Sequence, residues 1–316
     1  MRSVQHYHLA GLTFSFPFPL HGFPTTAPAD VEVRPGPVPR SLPGEKRIGV
    51  WFEAQPGRCL FQPDDRCRFL IRDGGEVLFD IQEPATVERA ALHFTQCILG
   101  ILLHQRGLAP LHGSAVRLDD RGIVLLGDSG TGKSTLAAWF HATVPRAVFL
   151  TDDVCPITRE VPPRIAGGSP YLKLDPGVHS GLGLKGTTRD IPCEGNRIRQ
   201  LALLAEHPPE PVRLHQIYVL RPDRTCAVPT LRKLRHPETL EALLNNTFRR
   251  CYLIALGLWQ QQFPLFARIA AAAPIWELRW HPDRVPLDQV GELLLESCRH
   301  TACGPVQSPA PARTSW

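Results

Sequence analysis

The sequence lacks any apolar run long enough to cross a membrane. Its longest such run, CILGILL at 97–103, is far shorter than the roughly 20 residues that a bilayer requires. The N-terminus, MRSVQHYHLAGLTFSF, also lacks the uninterrupted apolar core of a secretory signal. These absences predict a chain that is neither exported by that route nor inserted into a membrane.

Paired cysteines and a strong excess of charge are missing as well. The 9 cysteines are an odd number and include no Cys-x-x-Cys pair, which favours free thiols in a reducing cytoplasm. The formal net charge is +5, with 35 basic and 30 acidic residues spread along the chain. Such a mild surplus does not predict nucleic-acid binding. We therefore expect a cytoplasmic protein of 316 residues that buries a sizeable core.

The pattern of apolar and turn-forming residues divides the chain into successive parts. Residues 1–84 alternate short apolar runs with proline and glycine, which predicts a β-rich module, including a hairpin at 67–81. A helical period over 85–107 predicts one long connecting helix. Strand and helix signals alternate over 108–225, a mostly helical part follows at 226–302, and 303–316 has the composition of a flexible tail. The predicted class is α/β.

The segment GDSGTGKS at 127–134 matches the phosphate-binding pattern G-x-x-x-x-G-K-[ST]. An apolar strand, IVLL, precedes it and a helix-favouring run follows it, which is the context that the motif requires. Glycines let backbone N–H groups surround a phosphate, and the helix start adds its positive end. The alternative is a glycine-rich turn that matches by chance. We expect ATP here, bound by Gly127, Asp128, Ser129, Gly130, Thr131, Gly132, Lys133, Ser134 and Thr135.

Two consecutive aspartates, Asp152 and Asp153, follow the next apolar strand, AVFL at 147–150. A carboxylate at a strand end beside a phosphate loop is suited to hold Mg²⁺, together with the hydroxyl of Ser134. The other carboxylate of the pair is suited to accept the proton of an incoming hydroxyl. The alternative is a pair of aspartates that only stabilises a turn.

His112 can be placed by counting residues along a hairpin. If 111–118 and 123–126 pair around a turn at 119–122, residue 118 faces 123 and His112 lies opposite Ser129, at the mouth of the loop. A histidine there donates to phosphate or orients an aspartate. The alternative is a histidine whose hydrogen bonds are satisfied within the sheet.

The segments LHGSAV, GDSGTGKS and LTDDV, in this order, resemble the catalytic domain of the HPr serine kinase/phosphorylase family over about residues 108–155. The resemblance implies a P-loop α/β core related to phosphoenolpyruvate carboxykinase, and phosphorylation of a serine hydroxyl with ATP and Mg²⁺. It assigns Lys133 and Ser134 to phosphate and metal. It also assigns Asp153 to the base, Asp152 to the metal or the histidine, and His112 to the phosphate side.

The sequence departs from this family at two places. Thr135 replaces the glutamate that usually follows the serine of the loop, and no counterpart of EIRGLG is present. YHLAGLTFSF and GGSPYLKLDPGV resemble instead a divergent branch with tailoring kinases of ribosomally made peptides such as lasso peptides, where the acceptor is a C-terminal serine of the precursor. This likeness implies that Arg197 and Arg199 clamp a phosphate or a peptide carboxylate. An exposed arginine pair on a strand is the alternative.

Three functions are compatible with these motifs. The first is an ATP-dependent kinase of a serine in a peptide or protein, and the second is a kinase of a free small-molecule hydroxyl. The third is a nucleotide-dependent switch, an ATPase or a binding module without chemistry. Asp152, Asp153 and His112 favour a kinase, because a switch needs one metal carboxylate and a group that orients water. The predicted partner is a peptide or protein that carries the acceptor serine, with neither nucleic acid nor membrane involved.

Overall fold

A computed structural model of the chain describes residues 4–20, 22–44, 46–48, 51–82, 87–184, 188–193, 197–205 and 207–300. Within this part the fold is mixed α/β, with a nine-stranded sheet, an eight-stranded sheet, a three-stranded sheet and several helices. No helix in the described ranges combines the length and the apolarity needed to span a membrane. The predicted tail at 303–316 lies outside the described residues.

The nine-stranded sheet is built from the N-terminal residues. The predicted hairpin at 67–81 is confirmed: Cys67 pairs with Ile81, and the turn at 73–75 places Asp73 at φ 48° and Gly74 at φ 64°. Proline- and glycine-containing turns keep the strands short. The strands are β1 (Gln5–Leu9), β2 (Leu12–Phe16), β3 (Phe23–Thr25), β4 (Val31–Pro35), β5 (Lys46–Ile48), β6 (Phe52–Gln55), β7 (Arg58–Phe61), β8 (Cys67–Arg72) and β9 (Glu76–Ile81).

A continuous helical segment packs against this sheet, where the sequence predicts a helix. It consists of α1 (Val87–His93), a π turn (Phe94–Ile98) and α2 (Leu99–Gln105). The ring of Phe94 makes edge-on contacts with Phe14 and Phe16, at centroid distances of 5.3 and 4.7 Å. The wider π turn in the middle was not predicted from the apolar period of the sequence.

The eight-stranded sheet carries the segment that was predicted to bind phosphate. The strands are β10 (Ala109–Leu118), β11 (Arg121–Leu126), β12 (Ala147–Thr151), β13 (Val154–Ile157), β14 (Arg164–Ile165), β18 (Val212–Pro222), β19 (Thr230–Lys233) and β20 (Ile275–Trp280). Strand β11 runs parallel to β18, and β18 runs parallel to β20. Strand β10 is antiparallel to β11, β12 and β13. Helix α3 (Lys133–Thr143) follows β11. The small sheet contains β15 (Tyr171–Leu174), β16 (Thr188–Cys193) and β17 (Arg197–Leu203), with α4 (Pro176–Gly181) between β15 and β16.

The C-terminal part combines helices with two strands of the eight-stranded sheet, which is called the core sheet below. The helices are α5 (His236–Asn245), α6 (Arg250–Ala255), α7 (Trp259–Ala272) and α8 (Leu287–His300). Strand β20 lies beside β18, with Ile275 opposite Ile217. A mostly helical part was predicted here, and the two strands were not, although WELRW in β20 alternates apolar and charged residues as a strand does.

Both faces of the core sheet are buried. Val124 and Leu126 of β11 belong to a cluster with α5 and α7, whereas Ile123 and Leu125 belong to a cluster with α3 and α8. Alternate side chains of a strand point to opposite faces. The near-continuous apolar run of β11 is therefore explained by helices on both sides of the sheet.

The β10–β11 hairpin has a different register from the one predicted. Leu118 pairs with Arg121 and Gly113 with Leu126, so the turn contains two residues rather than four. Asp119 adopts φ 54°, a left-handed conformation of the kind that two-residue hairpin turns use. His112 therefore does not lie opposite Ser129. Its backbone N–H donates instead to the carbonyl of Asn246 at 2.7 Å.

Candidate active site

The glycine-rich loop at 127–132 connects the end of β11 to the start of α3. Gly127, Gly130 and Gly132 have φ values of 143°, 84° and 91°, which favour glycine. A Cβ added to Gly127 would lie 2.8 Å from Oγ1 of Thr131 and 2.9 Å from the carbonyl oxygen of Leu220. At Gly130 and Gly132 a Cβ would meet no atom within 4 Å, so this side of the loop is open.

The beginning of α3 presents backbone donors to the open side of the loop. The N–H groups of Gly130, Gly132, Lys133 and Ser134 find no acceptor among the described residues, and Gly132 caps the helix without a side chain. Free N–H groups and the positive end of the helix dipole together attract anions. The loop therefore fits a phosphate group.

Lys133 is buried and folds back onto the loop. Its Nζ donates to the carbonyl oxygens of Gly127 and Asp128 at 2.8 and 2.9 Å. Burial lowers the pKa of Lys133, and the nearby carboxylates, Asp152 first among them, oppose this shift only in part. A phosphate oxygen is a stronger acceptor than a carbonyl. The ammonium group is thus held where an incoming phosphate would compete for it.

Asp152 is buried and accepts hydrogen bonds on both carboxylate oxygens. Its Oδ1 accepts from Ser134 Oγ at 2.8 Å and from Ser114 Oγ at 2.5 Å, and its Oδ2 accepts from the backbone N–H of Lys173 at 3.2 Å. Burial raises the pKa of Asp152 and the charge of Asp153 adds to the effect, while the three hydrogen bonds oppose it. The structure thus brings together Ser134 and Asp152, the two residues predicted to hold Mg²⁺.

Asp153 faces a different environment from its neighbour. Its backbone has φ 70°, a left-handed conformation that aspartate tolerates better than most residues. The side chain is 37% exposed, and its Oδ1 lies 3.2 Å from Nδ1 of His112. Burial alone would raise the pKa of Asp153, but the hydrogen bond from His112 and the charges of Lys173, His112 and Lys133 outweigh it, so the pKa lies below its ordinary value. Asp153 is therefore held as a carboxylate.

A cavity of about 110 Å³ opens beside the two aspartates. Its polar lining includes Asp152, Asp153, Ser169 and Lys173. Its lining also includes residues of the end of β1, the turn after it and the helical segment, namely Leu9, Ala10, Leu92, Thr95, Gln96 and Leu99. The N-terminal part of the chain therefore contributes to the same cavity as the paired aspartates.

Three residues that stabilise this site were not predicted from the sequence. Ser114 follows His112 by two positions in β10, and this spacing within one strand was a usable signal. Asn246, just after α5, accepts the N–H of Gly127 on its Oδ1 at 2.9 Å. Lys173 contributes its N–H to Asp152. The contacts of Asn246 and Lys173 join distant parts of the chain, so no local pattern predicts them.

The remaining predicted residues are placed as follows. Asp128 and Ser129 are exposed in the glycine-rich loop, Thr131 donates through Oγ1 to the carbonyl of Asp128 at 2.9 Å, and Thr135 is half-buried in the first turn of α3. The backbone of Arg197 and Arg199 lies in β17, where Arg197 pairs with Cys193 and Arg199 with Ile191. The side chains of this arginine pair lie outside the described part of the structure.

Comparisons with known proteins give little beyond this geometry. No protein-family model matches the chain, and no curated protein matches it. Among solved structures, the chain is similar to the Hpr(Ser) kinase/phosphatase from Coxiella burnetii, with 14% sequence identity and a TM-score of 0.32 over 61% of this chain and 98% of that chain. A likeness at this level carries no argument about the reaction.

Proposed function

We propose that the chain is an ATP- and Mg²⁺-dependent kinase that transfers the γ-phosphoryl group of ATP to a serine hydroxyl of a peptide or protein. The observation that carries this proposal is the division of partners between two consecutive carboxylates. Asp152 pairs with Ser134 on the side of the glycine-rich loop, whereas Asp153 pairs with His112 at the cavity. Phosphoryl transfer needs a metal-bound triphosphate on one side and a positioned acceptor on the other.

The protein groups on the loop side suit a magnesium nucleotide. Within the described ranges, no group of three or more His, Cys, Asp and Glu side chains is arranged to hold a metal. Mg²⁺ on a nucleotide needs only one or two protein carboxylates, because phosphate oxygens and water complete its coordination. Asp152 and Ser134 would hold the ion, which when bound neutralises charge on the phosphates.

The protein groups on the cavity side suit proton removal from an alcohol. As the serine oxygen forms its bond to the γ-phosphorus, Asp153 takes the hydroxyl proton, and the bond from that phosphorus to the bridging oxygen of ADP breaks. His112 orients Asp153. Lys133 exchanges its two carbonyl partners for phosphate oxygens and balances their negative charge.

The narrowest acceptor within this proposal is a C-terminal serine of a lasso-type precursor peptide, which the likeness to the tailoring kinases suggests. The cavity of about 110 Å³ also has room for a small free alcohol. Peptides with an internal serine, peptides that end in serine and free serine therefore have to be compared side by side.

Mass spectrometry of reactions with purified protein and Mg²⁺-ATP tests the proposal. We expect a peptide to gain about one phosphoryl mass per acceptor serine, and the gain to vanish in Asp153→Asn and in Lys133→Ala. Modification of free serine alone would make the protein a small-molecule kinase. ATP consumption with no modified acceptor would overturn the kinase proposal in favour of a switch or an ATPase.

A further inference from the structure

We infer that the cavity beside Asp153 is an acceptor pocket that selects a peptide serine next to an apolar side chain. In this pocket Leu92 packs against the apolar neighbour and Gln96 binds the peptide backbone. The inference rests on the proposed kinase function and narrows its substrate class.

The N-terminal residues that line the cavity form a mainly apolar wall. They are Leu9, Ala10, Leu92 and Leu99, with Thr95 and Gln96 as the polar members, and Val154 adds apolar surface next to Asp153. Hydroxyl groups of a sugar or another polyol would find few partners along this wall, and buried polar groups without partners cost free energy. An alcohol with an apolar neighbour suits the wall better.

The size of the cavity limits what can enter. Its volume of about 110 Å³ is smaller than the cavity of about 150 Å³ that accepts benzene in an engineered protein. One aliphatic side chain beside the serine fits this space, whereas a tryptophan does not. Leu92 is 42% exposed although it is large and apolar, so its surface is available for contact with an incoming chain.

The π turn places a polar group in the same wall. Oγ1 of Thr95 donates to the carbonyl oxygens of Leu92 at 3.0 Å and Ala91 at 3.3 Å, which satisfies that hydroxyl within the helix. The side-chain amide of Gln96, by contrast, has no hydrogen-bond partner among the described residues. A primary amide donates and accepts, as a peptide group does. π turns are frequent at functional sites.

Kinetics with short alanine-based peptides tests the pocket. Each peptide carries one serine, flanked on either side by leucine, aspartate, lysine or tryptophan. We expect kcat/KM for a leucine-flanked peptide to exceed that for the aspartate-flanked peptide by about tenfold or more. The tryptophan-flanked peptide should also be a poor substrate, because its side chain exceeds the cavity.

Two variants assign the preference to the helical segment. Leu92→Glu should raise KM for the leucine-flanked peptide about tenfold and shift the preference towards the lysine-flanked peptide. Gln96→Ala should raise KM for all the peptides alike. Phe263 of α7 is also 42% exposed and lies outside the cavity, so Phe263→Glu is the matched control and should leave the peptide preference unchanged.

Different results would overturn the inferred pocket and the proposed kinase function. Equal phosphorylation of all the peptides, with no change in Leu92→Glu, overturns the pocket and leaves the kinase intact. Absence of Asp153-dependent transfer to any acceptor overturns both. If Leu92→Glu melts at a lower temperature than the parent protein, Leu92→Ala replaces it, and an unchanged leucine preference in that variant also overturns the pocket.

Discussion

Nδ1 of His112 lies 3.2 Å from Oδ1 of Asp153 and 3.2 Å from the backbone carbonyl oxygen of the same residue. The preceding carboxylate, Asp152, has Ser134 and Ser114 as its side-chain partners. His112 therefore contacts Asp153, the more exposed of the two aspartates. This pairing selects Asp153 over Asp152 as the candidate base.

Replacing the two aspartates one at a time should separate their roles. Asp153→Asn keeps a residue that tolerates the left-handed backbone, so we expect an intact fold, normal nucleotide binding and a loss of transfer of about 10²- to 10⁴-fold. Asp152→Asn should instead weaken Mg²⁺-dependent nucleotide binding, measured by calorimetric titration with and without Mg²⁺. The opposite outcome would show that the two roles are reversed.

Removing His112 should move the pH dependence of transfer. Its hydrogen bond is the largest influence that lowers the pKa of Asp153. In His112→Gln that pKa should rise, so the base becomes protonated at a higher pH and the acidic limb of the kcat/KM profile shifts upward. A profile that loses height but keeps its acidic limb would contradict this role of His112.

Ser114→Ala should weaken metal-dependent activity without changing the loop. The variant removes the 2.5 Å hydrogen bond to Oδ1 of Asp152, while Ser134 remains. We expect the Mg²⁺ concentration at half-maximal transfer to rise about tenfold or more, because a hydrogen bond to a charged group contributes about 1.5–3 kcal/mol. Ser180→Ala, which removes an exposed hydroxyl from α4, is the control and should leave the Mg²⁺ dependence unchanged.

Asn246→Ala should destabilise the protein because it leaves the buried backbone N–H of Gly127 without its partner. Asn246 is 7% exposed, accepts the N–H of Gly127 on Oδ1, and donates through Nδ2 to the carbonyl of Ala242 at 2.8 Å. We expect the free energy of unfolding to fall by about 1–3 kcal/mol in a denaturant titration. The adjacent Asn245 is exposed and serves as the matched control, so equal losses in Asn245→Ala and Asn246→Ala would refute the argument.

Acid should destabilise the fold through His104. The ring is buried against the carbonyl of Phe248, and burial lowers the pKa of His104 from 6.5 to about 4, although its hydrogen bonds oppose the shift. Below pH 6.5 the unfolded chain takes up a proton that the folded chain does not, so His104 reduces the free energy of unfolding by about 1.4 kcal/mol per pH unit down to its folded pKa. Denaturant titrations across this window should show a shallower slope in His104→Gln. The exposed His300 provides the control: an equal change of slope in His300→Gln would contradict the assignment.

Residues close together in the chain gave the most accurate predictions. The strand before the glycine-rich loop, the helix after it and the aspartates after β12 all depend on short stretches of sequence, and the structure has them at the expected positions. The register of the β10–β11 hairpin was wrong by two residues, because the left-handed backbone at Asp119 permits a shorter turn than the four residues assumed.

Residues far apart in the chain account for what the sequence did not predict. Asn246 contacts Gly127 across more than a hundred positions, and Leu92 lines the same cavity as Asp153 although the two residues are far apart in the sequence. Nothing in the sequence next to Asn246 or Leu92 distinguishes these residues from other asparagines and leucines of the chain. Such contacts depend on tertiary packing, which local propensity and residue spacing do not predict.

The adjacency of Asp152 and Asp153 in the chain has a mechanical consequence. One covalent peptide unit joins the carboxylate on the phosphate side to the carboxylate on the acceptor side, so a hinge or a domain closure cannot change the separation of their Cα atoms. The wall of the cavity that includes Leu92 and Gln96 belongs to the helical segment and has no such covalent link to the aspartates. A displacement of that wall could therefore widen the pocket without changing the separation of the two aspartate Cα atoms.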